Sequence, residues 1–394
     1  MNILVTGANG LLGSSVMTEL RRRGHHGIAV GRAPQCRSTD AAAYVQADLC
    51  DASAVQALFA GVQPDAVIHC AAWTDVDGAE LPENREQVFA VNRDSTQNVA
   101  EASRDHGCKL LYVTTDYVFD GTYPAPYPAD CDRFAPLNVY GQSKLAGERA
   151  VCGTLAQHFI VRTSWLYGAG GKNFVRTMLQ LSRTHDTLRV VCDQVGTPTY
   201  VPDLARLLAD MVETDRYGRY NAVNSGGYLS WYDFACAIFR AASIPMTVLP
   251  VTTEEYGQSR AVRPRNSRLD TTKLAAAGFR PLPDWQDALA RYLGQDADGA
   301  ERYGMELQAT LQLEVYSPGR RAGALCERAA AQVVDVFLGG IEGLYSGDLE
   351  LGRTAYDART DCFRCAVRAP LTLRLYTTAQ DGAFTHADIR GVLQ

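Results

Sequence analysis

The opening segment constrains the fold more than any other part of this chain. Asn2-Ile3-Leu4-Val5-Thr6 is a short apolar run of strand type, and the spacing Gly7-x-x-Gly10-x-x-Gly13 follows it at once, leading into a helical pattern that runs to Arg23 with Gly24 just beyond. The first glycine permits a tight turn, the second lets backbone N–H groups approach a pyrophosphate, and the third lets strand and helix pack closely. Gly7, Gly10, Leu11, Leu12 and Gly13 are therefore candidates to cradle a dinucleotide. The spacing alone is common; its place between the first strand and the first helix carries the reading.

Beyond it, strand-like runs at 27–31, 65–70, 110–114, 159–162 and 188–191 alternate with helical patterns at 52–60, 85–106, 139–150, 174–183 and 202–212. This alternation predicts right-handed βαβ units and a parallel sheet covered on both faces, an α/β fold of the doubly wound Rossmann type. From about residue 165 to 293 the pattern becomes mixed helices and loops, expected to form a smaller substrate-binding lobe of one domain spanning 1–293. Residues 294–304 are polar, small and acidic, a linker by composition.

Past the linker, Leu307, Ala309, Leu311, Leu313 and Val315 alternate with polar residues, as do Phe363, Cys365, Val367, Ala369, Leu371, Leu373 and Leu375. Residues 320–338 have the pattern of an amphipathic helix, so 305–394 is expected to be a separate α+β module. Leu313-Glu314-Val315-Tyr316-Ser317-Pro318 before that helix gives the tail a faint resemblance to small phage tail-type proteins. Met305 stands just before its first strand, which suits a fusion of two reading frames, and its His386 and Asp388 have no nucleophile beside them.

Composition narrows the class. With 46% hydrophobic and 21% charged residues among 394, the chain is ordinarily globular, which excludes disordered, collagen-like and coiled-coil proteins. No apolar run approaches the roughly 18 residues of a membrane span. The N-terminus lacks the features of a secretory signal, so the expected compartment is the cytoplasm. A net charge of −6 argues against a nucleic-acid surface. The cysteines are scattered and read as reduced thiols; the one CxxC, Cys362 to Cys365, has only His386 near it, so no metal site is expected.

Four further segments carry chemistry. The second strand ends Ala29-Val30-Gly31-Arg32, with Arg37 a little further on. An acidic residue there would bond the ribose 2′-hydroxyl of NAD, whereas a guanidinium suits a 2′-phosphate. The sequence thus favours NADPH, with NADH as the alternative if Arg32 is only a solvated loop residue. Asp48, followed by Leu49, closes a third strand where an adenine ring would lie. Tyr140-Gly141-Gln142-Ser143-Lys144 places a phenol and an ammonium one helical turn apart on one face. A cation about 4 Å from a phenol supplies up to roughly 4 kcal/mol at intermediate dielectric, enough to bring it toward the working range of a general acid. The strand at 110–114 leads into Thr115-Asp116, so a hydroxyl from Thr114 or Thr115 can share the substrate oxygen with Tyr140; Thr115 is the preferred candidate.

The glycine loop, the Tyr140/Lys144 pair and their order resemble the extended short-chain dehydrogenase/reductases. Within that group, His69-Cys70-Ala71-Ala72-Trp73-Thr74-Asp75-Val76-Asp77, Thr115-Asp116-Tyr117-Val118-Phe119-Asp120-Gly121, Lys144-Leu145-Ala146-Gly147-Glu148, Arg162-Thr163-Ser164-Trp165 and Arg263-Pro264-Arg265-Asn266-Ser267 resemble the dTDP-4-dehydrorhamnose reductase family, over residues 1 to about 293. The resemblance implies hydride transfer from a nicotinamide to C4 of dTDP-4-dehydro-β-L-rhamnose, giving dTDP-β-L-rhamnose for cell-surface polysaccharide. It implies that Tyr140 protonates the alkoxide, that Lys144 holds the nicotinamide ribose and lowers the tyrosine pKa, and that Thr115 tunes the acid. It further implies that Thr115 and Asp116 touch the sugar, that Trp165 contacts the nucleotide-sugar, and that Ala71, Ala72 and Trp73 line the cofactor. Trp73 stands where family members often carry His. Asn173 and Met178 are either nucleotide contacts or a cap and a core residue, and Trp231 and Trp285 read as core.

Rivals on this fold are a nucleotide-sugar epimerase or dehydratase and a non-catalytic regulatory subunit. A dehydratase needs a carboxylate pair beside the tyrosine, where only Asp116 stands, and Arg32 disfavours the tightly kept NAD of an epimerase. A regulatory subunit has no need of Thr115, Tyr140 and Lys144. A homodimer, and Mg2+ at its contact, are compatible with the sequence but not shown by it.

Overall fold

The computed structural model describes residues 1–169 and 171–294, and beyond them the backbone of the strands Tyr303–Pro318, Tyr345–Ser346, Glu350–Leu351, Ala355–Asp357 and Cys362–Thr377. The chain divides into two compact units, Met1–Tyr292 and Leu293–Gln394.

The first unit is built on β1 (Asn2–Thr6), β2 (His26–Gly31), β3 (Ala43–Gln46), β4 (Ala66–His69), β5 (Lys109–Thr115) and β6 (His158–Thr163). With the strand Gly218–Asn221 they form a seven-stranded sheet in the order Gly218–Asn221, β6, β5, β4, β1, β2, β3, every pair parallel. Chain order reverses between β1 and β4, and in such sheets a crevice opens outside the carboxyl ends of the strands at that point. Register brings the ends level there: Thr6 pairs with both Val30 and His69.

Side chains of β1 alternate between two cores, as the period of a strand requires. Ile3 and Val5 pack with Val16, Met17 and Leu20 of α1 (Leu11–Arg22) and with Leu204, Leu207 and Met211 of a helix at Val201–Val212. Leu4 packs on the other face with Val55, Leu58 and Phe59 of α2 (Ala52–Val62) and with Val99, Leu110, Tyr112 and Ile160. All of β1 but its first residue is buried, so its sequence is nearly continuously apolar.

Two departures from the sequence pattern bear on the site. The expected single helix at 85–106 is α3 (Arg85–Phe89), a π turn at Ala90–Asp94 and α4 (Ser95–Asp105). In the wider turn Asn92 is buried; its Oδ1 accepts from Trp73 N at 2.8 Å and its Nδ2 donates to Ser143 Oγ at 2.9 Å. The strand Gly218–Asn221 returns the chain to the main sheet from a region read as helices and loops. Four residues are too few to show a period. The remaining helices named below are α5 (Val139–Thr154), α6 (Phe174–Leu181), α7 (Val201–Val212) and α8 (Trp231–Ala241), of which α5 and α8 carry residues of the cavity wall. Among the described residues no helix is long and apolar enough to cross a membrane.

In the second unit, Tyr303–Pro318 pairs antiparallel with Cys362–Thr377 along its whole length, from Tyr303↔Thr377 to Pro318↔Cys362. The three short strands pair with Cys362–Thr377 as well. The expected helix at 320–338, Cys326, His386 and Asp388 lie outside the described residues.

Candidate active site

The carboxyl ends of the central strands open onto a cavity of about 730 Å3, a size suited to a cofactor or small-molecule ligand. Gly7 sits in its wall at φ +64°, a conformation costly for a residue with a side chain, and a Cβ there would lie 2.8 Å from Ala71 Cα. Gly10 N donates to Gly7 O at 2.8 Å and closes the turn. Gly10 caps α1 with no side-chain bond, and the first helical bond is Ser14 N to Gly10 O at 3.0 Å. The N–H groups of Leu11, Leu12 and Gly13 are thus without helical partners, at the positive end of the helix dipole and in the cavity wall. A Cβ on Gly13 would fall on the Gly7 carbonyl oxygen.

Asn9, which the sequence reading passed over, ties the loop after β2 to this turn: its Nδ2 donates to Gln35 O at 3.0 Å and its Oδ1 accepts from Arg37 N at 2.7 Å. Arg32, exposed, and Asp48 and Leu49 line the same end of the cavity; Arg37 does not. Ala71 and Ala72 line it too. Trp73, expected beside them, does not. Asn92 holds its backbone, its Nε1 donates to Asp75 O at 2.9 Å, and its ring packs with Phe89 and Tyr140 against Ala79, Val88 and Val139.

Asn138 starts α5 by accepting from Gly141 N at 2.8 Å, and the helix presents Tyr140 and Lys144 to the cavity. Lys144 is 2% exposed; its Nζ donates to Val113 O at 2.8 Å and lies 4.2 Å from the centre of the Tyr112 ring. Burial pulls this ammonium down to about 7, opposed by the charge of Glu148. The Tyr140 phenol is raised, by burial first and then by the Asp116 carboxylate, with the Thr115 hydroxyl opposing. The Lys144 ammonium is drawn to Val113 O, and desolvation of the phenolate outweighs the opposing Thr115 hydroxyl.

Thr115 Oγ1 donates to Asp116 Oδ1 at 3.0 Å and accepts from Tyr117 N at 3.2 Å, while the buried Thr114 hydroxyl has no hydrogen-bond partner. Both threonines and Asp116 line the cavity. Burial pushes the Asp116 carboxyl up to about 6. Beneath this layer His69 is fully buried between Thr6 Oγ1 at 2.7 Å and Thr96 Oγ1 at 3.0 Å.

At the far side Trp165, at φ +50°, stacks on Trp231 with centroids 3.6 Å apart and planes 14° apart. A non-glycine residue held in the left-handed region is a mark of sites where local strain is maintained by the surroundings. Both rings line the cavity. The reading of Trp231 as core is corrected here: its place at the start of α8, behind the Ser230 capping box, turns the indole outward onto Trp165. Trp285 is 9% exposed and belongs to the core. Asn173 caps α6 by accepting from Arg176 N at 3.0 Å, and Met178 is buried; neither lines the cavity. Lys172, Thr74 and Ser95 do line it, without any local sequence signal. Among the described residues no group of three or more His, Cys, Asp or Glu could hold a metal ion.

A Tyr-x-x-x-Lys helix facing a glycine cradle across the switch point of a doubly wound parallel sheet is the arrangement of the extended short-chain dehydrogenase/reductases. Within that class the chain belongs to the RmlD substrate binding domain family, whose model matches residues 1–297. It is 42% identical over 293 residues to dTDP-4-dehydrorhamnose reductase of Streptomyces griseus, covering 73% of this chain and 91% of that one. It is 37% identical over 299 residues to the spore coat polysaccharide biosynthesis protein SpsK of Bacillus subtilis, covering 76% and 99%. The crystal structure of dTDP-4-dehydrorhamnose reductase from Bacillus anthracis in complex with NADP matches with a TM-score of 0.67 at 39% identity, covering 74% of this chain and 98% of that one.

Proposed function

We propose that this protein is an oxidoreductase that uses a nicotinamide cofactor, NADPH in preference to NADH, to reduce the C4 ketone of dTDP-4-dehydro-β-L-rhamnose to dTDP-β-L-rhamnose. The observation that carries the reading is the placement of Tyr140, Lys144 and Thr115 in the wall of one cavity that begins at the glycine cradle. The 42% identity to the Streptomyces griseus reductase supports the substrate.

The residues present fit such a cofactor. Unpartnered N–H groups of Leu11, Leu12 and Gly13 suit a pyrophosphate, the cradle is closed to any Cβ at Gly13, and Arg32 at the rim suits a 2′-phosphate. Asp48 and Leu49 would flank the adenine, and Ala71 and Ala72 the wall beside it. When bound, the cofactor supplies the hydride. Tyr140 holds the proton that the ketone oxygen takes up as C4 is reduced, and Thr115 orients that oxygen. Asp116 touches the sugar, and Trp165, stacked on Trp231, offers its ring to the nucleotide-sugar. Lys144 hydrogen-bonds the nicotinamide ribose from the inner wall.

The domain reading is one reductase over 1–293 with its substrate side formed mainly by 165–293, and an appended module at 305–394 outside the chemistry. A homodimer is compatible with it. The full chain with the dTDP-sugar and NADPH should consume the reduced cofactor with one product alcohol per hydride. Absence of turnover, together with a Tyr140→Phe protein that keeps its biological role, would overturn the enzyme reading. Two further outcomes are expected. Arg32→Asp should raise KM for NADPH about tenfold or more, the worth of one charge-assisted hydrogen bond, and leave NADH unchanged in a side-by-side kinetic comparison. A chain ending at Gly294 should unfold cooperatively and keep the kcat/KM of the full chain, since the first compact unit ends at Tyr292.

A further inference from the structure

Tyr140, Lys144 and Glu148 follow one another at four-residue spacing along α5, so they share one helix face. The first two belong to the chemistry described above; Glu148 has no part in it. It is 3% exposed and gripped by Arg162, itself 0% exposed, whose Nε donates to Oε1 at 3.0 Å and Nη2 to Oε2 at 2.7 Å. Arg162 is immobilised in turn. Its Nη1 donates to Ala129 O at 3.0 Å, and the guanidinium lies 5.2 Å from the ring centres of both Phe119 and Phe134. A buried ion pair is a poor stabiliser, because desolvation offsets its attraction and apolar residues of similar volume serve as well. Its position one turn beyond Lys144 supplies another reason for it.

Several groups face the Lys144 ammonium, and burial keeps most of them uncharged. His69 of β4 is pulled down to about 3 and Cys70, just after β4, is pushed up to about 12. Tyr112 of β5 and Tyr140 of α5 are both raised. Asp116 faces Tyr140. Glu148 is the carboxylate that acts on Lys144 directly, opposing its desolvation. A free carboxylate one turn away would fold onto the ammonium and draw it off the cavity wall. With both of its oxygens held by Arg162, Glu148 acts through its field alone, and Lys144 stays directed at Val113 O and the cavity.

We propose that Glu148, held by Arg162, is a positioning residue whose immobile negative charge sustains Lys144 as a cation aimed at the cofactor without pairing with it. This rests on the reductase reading, in which Lys144 holds the cofactor ribose. The test is the dissociation constant of NADPH measured from about pH 5.5 to about pH 9 for the full chain, for Glu148→Gln, and for the double variant Glu148→Leu/Arg162→Met. Wild-type affinity falls as pH rises and Lys144 loses its proton. In Glu148→Gln the fall comes about one pH unit lower, so that near pH 8 the affinity is about tenfold weaker while the acid ends of the curves converge. The double variant leaves no unpaired buried charge, so it regains the wild-type melting temperature yet keeps a fall displaced to lower pH. Variant curves that overlay the wild type in pH, with only the melting temperature altered, would reduce the pair to a structural role and overturn the inference. Wild-type protein that binds no nicotinamide cofactor at any pH would instead overturn the reductase reading.

Discussion

Tyr140→Phe is expected to lower kcat about a thousandfold while changing cofactor affinity by less than about threefold, within the range known for removal of a positioned general acid. The phenol stands in the cavity wall beside Thr115, and its ring packs against Tyr117 with centroids 6.0 Å apart, a contact phenylalanine preserves. Asp116 also lines the cavity, and burial pushes its carboxyl up to about 6, so it can serve as a substitute donor when protonated. Whatever activity remains in the variant should therefore rise as pH falls below that value, because only the protonated carboxyl can donate. Steady-state kinetics across pH measures both effects. A variant that keeps more than about a tenth of the wild-type kcat would remove Tyr140 from the acid role.

Gly13→Ala is expected to weaken cofactor binding by about a hundredfold or more and to destabilise the fold by about 1–3 kcal/mol. The added Cβ would fall on the Gly7 carbonyl oxygen and lie 2.8 Å from Ala8 Cα, both backbone atoms that no rotamer change can move. Helix α1 would have to lift off β1, carrying the N–H groups of Leu11 and Leu12 away from the cavity wall. Gly61→Ala is the control: it lies in α2, nothing stands within 4 Å of its added Cβ, and helix propensity predicts a gain of up to about 1 kcal/mol. Thermal unfolding and a cofactor titration of both variants separate the loop effect from a general cost of adding a methyl group. Equal behaviour of the two would show that the close approach at Gly13 carries no weight.

These expectations draw unequally on sequence and structure. The cradle was legible because its parts are contiguous: a strand, a glycine turn and a helix start within the first 13 residues are read by local rules alone. Tyr140 and Lys144 were legible because four residues on a helix share a face, and Thr115 because it ends a strand. The state of the phenol was not legible. Spacing suggested that Lys144 would lower it, whereas the depth of burial and the pull of Val113 O on the ammonium leave it raised. The direction of the Trp73 side chain was not legible either: Asn92, 19 residues on, holds its backbone, and its indole donates to Asp75 O.

Local patterning thus determined the strand–helix alternation, the glycine cradle and the Tyr–Lys pair, since each depends on residues within one or two turns of chain. Tertiary structure decided what lies far apart in sequence. It set Trp231 against Trp165, tied Asn9 to the loop after β2, and added Gly218–Asn221 to the central sheet. It also joined Arg162 to Glu148 beneath the catalytic helix. Periodicity reports which face of an element is buried; it carries no information on which partner covers that face or how far the partner's charge and desolvation shift the groups beneath.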